Sequence, residues 1–147
     1  MATPIKGYIG FTAPEISVCS DCGTCELVCA TYHEGATSPA LRRIWLQRNP
    51  FKSEYIILAC KQCNPAPCMA ACPVEAISED KTTGAKIIDE SLCIGCEECT
   101  KACPLEPKRI SFNREKNVAI KCDLCDGRAE GPACIQFCPN MCLELKH

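Results

Sequence analysis

Sixteen of the seventeen cysteines in this chain fall into four sets of four. The first set is CSDCGTCELVC, with Cys19, Cys22, Cys25 and Cys29. The second is CKQCNPAPCMAACP, with Cys60, Cys63, Cys68 and Cys72, and the third is CIGCEECTKACP, with Cys93, Cys96, Cys99 and Cys103. The fourth is CDLCDGRAEGPACIQFCP, with Cys122, Cys125, Cys134 and Cys138, and Cys142 is left over. Three cysteines at i, i+3 and i+6 cannot be joined to one another by disulfides without severe strain. A loop through them can nevertheless turn three sulfurs toward one small body. A cubane of four irons needs four terminal ligands, so three sulfurs leave one corner open. In the run C-x2-C-x2-C-x3-C-P the fourth cysteine serves a different cluster from the first three. The spacing therefore assigns Cys93, Cys96 and Cys99 to one [4Fe–4S] cluster and sends Cys103 to a neighbour. Cys99 and Cys103 lie four residues apart, about 6 Å along a helix, which sets adjacent clusters on the order of 10 Å apart. Electrons tunnel readily over that distance.

The elements that must hold these thiols read as short ones. Each set ends with three residues between its last two cysteines, and Pro73, Pro104 and Pro139 follow three of the sets, with Ala30 in that place after the first. Helices of one or two turns are expected around the paired cysteines. Sets two and four stretch their middle gap, and Gly127, Gly131 and Pro132 make the longer one a surface loop. Strand-like runs separate the sets: RRIWLQR, EYIILA, AKIID and NVAIK. EDKTTGAK, between Ile77 and Ile87, reads as a hairpin turn.

Composition narrows the class. With 147 residues and an aromatic content of 5%, the chain has a thin apolar core, so something besides packing must supply stability. Seventeen cysteines would leave one thiol over from a complete disulfide framework. MATPIKGYIGFTAPE has no apolar leader core and no twin arginine, and the longest apolar run, YIILAC, is too short for a membrane span. These features point to a cytoplasmic protein whose thiols hold metal, without excluding export alongside a signal-bearing partner. A net charge of −2 with no basic block gives nucleic-acid binding no electrostatic support. Structural zinc is served by paired C-x2-C units, and the triad followed by C-P is not explained by it. A zinc-stabilised interaction module is the remote alternative.

The four sets together resemble the four-cluster, ferredoxin-like electron-transfer subunits of molybdenum and tungsten oxidoreductases. That family includes the iron–sulfur subunits of dimethyl sulfoxide reductase and formate dehydrogenase. In size the chain is nearest to the small subunits of tungsten aldehyde oxidoreductases. The resemblance implies an α+β fold of two pseudo-symmetric ferredoxin-like units with short helices and small β-hairpins. Spacing alone leaves the pairing of sets open, since twenty residues separate sets two and three and eighteen separate sets three and four. The resemblance implies nested pairing, with an inner unit over 60–110 and an outer unit of 1–59 plus 111–147. Cluster one would then be held by Cys19, Cys22, Cys25 and Cys138, and cluster two by Cys122, Cys125, Cys134 and Cys29. Cluster three would take Cys60, Cys63, Cys68 and Cys103, and cluster four Cys93, Cys96, Cys99 and Cys72. The family's order of clusters is one, two, three, four, with the first nearest the catalytic partner.

The implied function is non-catalytic: single electrons pass between a large molybdenum or tungsten subunit and a second redox partner such as a flavoprotein subunit or ferredoxin. Self-association into longer assemblies is compatible with it. The alternative is a free-standing polyferredoxin for a hydrogenase or carbon monoxide dehydrogenase. Sixteen thiolates and four oxidised cores bring the loaded protein to about −10, and to near −14 when fully reduced. A partner should therefore present a basic docking patch. His33 and His147 read as surface residues, and Trp45 reads as core. Cys142 reads as a small buried apolar residue; it repeats the x3 spacing after Cys138, but Pro139 favours Cys138 as the ligand.

Overall fold

The computed structural model describes residues 7–12 and 19–147, so most of the segment read for a leader lies outside them. Among the described residues, eight short strands and four helices follow one another along the chain. They are β1 (Tyr8–Phe11), α1 (Thr24–Glu34), β2 (Trp45–Asn49), β3 (Glu54–Leu58), α2 (Pro67–Ala71), β4 (Ile77–Glu79), β5 (Lys86–Ile88), α3 (Glu98–Ala102), β6 (Ile110–Asn113), β7 (Val118–Lys121), α4 (Ala133–Phe137) and β8 (Leu143–Lys146). A single 3₁₀ turn at Pro39–Leu41 follows α1.

The strands form four antiparallel pairs. Three are local hairpins: β2 with β3, β4 with β5, and β6 with β7. The fourth closes the chain on itself, pairing β1 with β8 so that Ile9 faces Leu145 and Phe11 faces Leu143. The helices pair in the same nested sense. α1 packs on α4, and α2 packs on α3. No described helix is long and apolar enough to cross a membrane.

Proline sets the helix lengths. α2, α3 and α4 each stop one residue before the last cysteine of their set. Cys72, Cys103 and Cys138 are extended there, with φ near −72°, −62° and −66°. A residue before proline is pushed out of the helical region by the pyrrolidine ring. Set one has Ala30 instead, so α1 runs through Cys29 for eleven residues, longer than the one or two turns expected. Gly35 ends it, with φ 67° and its N–H on the Thr31 carbonyl.

Two apolar clusters fill the interior, and thiols belong to both. The larger gathers Ile9, Ile44, Leu46, Leu124 and Leu143 around Cys25, Cys29, Cys60, Cys122, Cys134 and Cys142. The smaller places Ile77, Ile110 and Ala119 against Cys99, with Cys68, Cys72 and Cys93 at its edge. Trp45 is half-buried and Leu46 is the deep residue of β2.

Candidate metal centres

The first C-x2-C of every set bends in the same way. Its second intervening residue has a positive φ: Asp21 at 57°, Gln62 at 51°, Gly95 at 73° and Leu124 at 59°. The left-handed residue turns its own amide back toward the loop, a concavity suited to negative charge. Asp21 N–H lies 3.5 Å from Cys19 Sγ, and Gln62 N–H lies 3.4 Å from Cys60 Sγ. The Leu124 amide does the same for Cys122 and opposes the upward push that burial gives that thiol. Gly95 is required for a second reason, since a Cβ there would sit 2.6 Å from the Asn117 carbonyl oxygen. Further amides reach sulfur from outside the loops. Arg43 N–H is 3.3 Å from Cys29 Sγ, Ala76 N–H 3.2 Å from Cys72 Sγ, and Ala133 N–H 3.5 Å from Cys125 Sγ.

The thiols gather in groups that mix the sets. Cys19, Cys22 and Cys25 line one cavity together with Cys138 and Cys142, against Phe11, Leu46 and Leu143. Cys93, Cys96 and Cys99 line another with Cys72, against Ile77, Ile88 and Ala119, and Cys103 is not part of that lining. Burial pushes the Cys134 thiol well up, and charge on Cys122, Cys125 and Cys29 adds to it. Burial likewise raises Cys68, opposed by the Lys121 ammonium and reinforced by Cys60 and Cys103. Cys63 also borders a wider cavity of about 390 Å3 lined by Tyr8, Lys61, Lys86 and His147.

Ionising these thiols together calls for positive charge among them. Burial lifts Cys25 to about 12 and Cys29 to about 11, and neighbouring sulfurs add to both. Four thiolates brought together in such surroundings repel one another unless a positive core sits among them. Among the described residues, no three His, Cys, Asp or Glu side chains converge on one point as a single ion would require. Around two cavities the sulfurs gather in groups of four or five, and soft thiolates so gathered suit an iron–sulfur core.

Charge on a thiol of one group also acts on a thiol of the next. Cys134 feels Cys25, Cys122 feels Cys60, and Cys99 feels Cys68. Cys22 and Cys96 are exposed, whereas Cys29, Cys122, Cys125 and Cys134 are all buried.

Residues 51–147, which contain sets two to four, match the model of the 4Fe-4S dicluster domain. The chain belongs to the 4Fe-4S dicluster family. It is 38% identical over 141 residues to YsaA of Escherichia coli (strain K12), provisionally named an electron transport protein, covering 91% of this chain and 87% of that one. It is 38% identical over 120 residues to the polyferredoxin-like subunit of aliphatic sulfonate oxidoreductase from Pyrococcus furiosus, covering 82% of this chain and 66% of the relative. Hydrogenase-4 component A of Escherichia coli is 31% identical, with 92% and 80% covered. Among solved structures, a chain of the active site complex BamBC of benzoyl coenzyme A reductase shares the fold, with a TM-score of 0.52 at 21% identity over 94% of this chain and 77% of that chain. This dicluster protein thus moves electrons through 4Fe-4S clusters, and its relatives include a protein named for electron transport, a polyferredoxin-like oxidoreductase subunit and a hydrogenase component.

Several residues around the dicluster sites are not evident from cysteine spacing. His33 is not a surface residue. Its side chain is 9% exposed, with Nε2 3.4 Å from Asp123 Oδ1 and 3.8 Å from Cys125 Sγ. Burial, then the Arg43 guanidinium, lowers it to about 4. Arg43 ties α1 to β7 and the fourth set, lying 3.4 Å from both Glu34 and Asp123 and donating to the Lys121 carbonyl. His147 is exposed as expected.

Cys142 is 2% exposed, and its Sγ lies 3.4 Å from Cys138 Sγ. It thus touches the thiol it would have to replace as a ligand. The expected outcome of Cys142→Ser is full iron content and an unchanged visible spectrum. Loss of about four irons would make Cys142 the ligand and displace Cys138.

Proposed function

We propose that this chain is the electron-transfer subunit of an oxidoreductase complex, carrying single electrons through four [4Fe–4S] clusters. They run between a molybdenum- or tungsten-containing catalytic subunit and a second redox partner. The observation that carries this reading is the gathering of thiols from different sets around shared cavities, Cys138 with Cys19, Cys22 and Cys25 and Cys72 with Cys93, Cys96 and Cys99, each with one exposed thiol, Cys22 and Cys96. Charge coupling of Cys25 with Cys134, Cys60 with Cys122 and Cys68 with Cys99 is in keeping with four sites in the order implied by the family resemblance. The mixed linings, Cys138 with set one and Cys72 with set three, support nested pairing of the sets. So does the packing of α1 on α4 and of α2 on α3.

Each cluster, when bound, takes up and releases one electron. The chain's own part is to hold the sulfurs, shield the middle sites and tune them. Cys122, Cys125, Cys134 and Cys29 would hold the second cluster in a fully buried site. Cys60, Cys63, Cys68 and Cys103 would hold the third. The amides on Cys19, Cys29, Cys60, Cys72 and Cys125 stabilise negative charge on sulfur. Cys22 and Cys96 bring the first and fourth sites to the surface, where partners can approach.

The relative from Pyrococcus furiosus, itself a subunit of an oxidoreductase, favours this reading. The name of hydrogenase-4 component A favours a second one, a subunit or ferredoxin serving a hydrogenase. Purification from the native cells at low salt tests both. A stoichiometric large subunit containing molybdenum or tungsten is expected, and it should dissociate as salt rises because the loaded chain carries about −10. A nickel–iron partner would establish the second reading as a bound subunit, and recovery of the chain alone at low salt would overturn the subunit reading in favour of a free-standing polyferredoxin.

A further inference from the structure

We infer that Lys121 is a fixed buried cation between the second and third sites, holding the clusters there at higher potential than their central position would give. The inference rests on the four-cluster reading above. Lys121 ends β7 and is 1% exposed, among the most deeply buried large side chains of the protein. Its Nζ donates to the Cys122 carbonyl at 2.8 Å, to Gln62 Oε1 at 3.4 Å and to the Lys86 carbonyl. All three acceptors are uncharged, so the positive charge is solvated by dipoles and is not neutralised by a carboxylate on these atoms.

The position of that charge gives it its meaning. Cys122 belongs to the fourth set, and Gln62 lies inside the Cys60–Cys63 loop of the second. Gln62 is itself buried, and its Nε2 donates to the Cys122 carbonyl at 2.8 Å while Oε1 accepts from Lys86 N–H at 2.8 Å. Nζ therefore sits at the seam where the two sets meet, and its field reaches the Cys68 thiol on one side and the Cys122 thiol on the other. Each loaded site is anionic, and reduction makes it more so. The two central sites have anionic neighbours on both sides, which disfavours adding an electron there. A cation in the low-dielectric seam counters this for both central sites at once. A neutral side chain could make some of the same hydrogen bonds without this effect.

Two variants of the loaded protein test the inference by redox titration, with reduced clusters followed by electron paramagnetic resonance and iron counted first. Lys121→Met removes the charge. Gln62→Glu keeps Lys121 and places a carboxylate against its Nζ. Both are expected to retain full iron and to move two of the four couples to lower potential. The shift should be at least a tenfold change in the reduced-to-oxidised ratio at fixed potential, about 59 mV for a one-electron couple. The other two couples should move less. Full iron with unchanged couples, or an equal shift of all four, would overturn the role of Lys121. If Lys121→Met loses iron, unchanged couples in Gln62→Glu would overturn that role by themselves. Fewer than four couples in the unaltered protein would instead overturn the four-cluster reading beneath it.

Discussion

Chelating the iron from the anaerobically purified protein is expected to abolish cooperative unfolding and to collapse most of the dispersion of its amide NMR spectrum. Among the described residues every sheet is a single two-stranded pair, and such pairs are marginal in water by themselves. Three of the four helices have five residues, well below the length at which an isolated helix persists. Both interior clusters are built around cysteines. With the cores removed, those thiols either stay neutral as poor packing groups or ionise and repel. Cluster binding is thus a large part of the folding free energy, as in other small metal-dependent domains. A compact apo protein with a dispersed spectrum and a cooperative melt would show that the apolar residues suffice.

Exchanging single ligands is expected to report on the opposite set from the one in which they stand. Cys103 follows Cys99 in sequence, yet the cavity of Cys93, Cys96 and Cys99 is completed by Cys72. Charge on Cys103 instead acts on the Cys68 thiol. Cys72→Ser should therefore remove or convert the same redox couple as Cys96→Ser. Cys103→Ser should remove or convert the couple lost in Cys68→Ser. Each variant should cost no more than about four irons. If Cys103→Ser and Cys96→Ser abolish one and the same couple, there is no cross-ligation. If Cys103→Ser acts on the couple of Cys134→Ser, the sets pair sequentially and the nested arrangement is wrong.

Much of this was legible in the sequence because cysteine spacing is rigid information. The strand runs emerged as β2, β3, β5 and β7, and EDKTTGAK as the turn between β4 and β5. The length of α1 followed from Ala30 standing where the other sets have proline, a difference visible in sequence but read only as a departure from the motif. The shared left-handed bend was hidden, because Asp21, Gln62 and Leu124 carry no glycine signal and only Gly95 announces it. The buried charges were hidden for a related reason. Lys121 and Arg43 sit in runs that read as ordinary strand edges, and nothing local shows that the chain folds sulfur-bearing loops over them. His33 looked like a surface residue because its neighbours Tyr32 and Glu34 do, while Asp123 and Cys125 approach it from the far end of the chain. Long-range closure, such as β1 on β8, leaves no periodic trace in either strand.

Four [4Fe–4S] clusters on sixteen cysteines are tested most directly by counting iron and acid-labile sulfide in the protein purified without oxygen. About sixteen of each per chain are expected, with a brown colour that bleaches on adding dithionite. A count near eight would leave half the thiols without a cluster, and zinc in place of iron would contradict the electron-transfer account altogether.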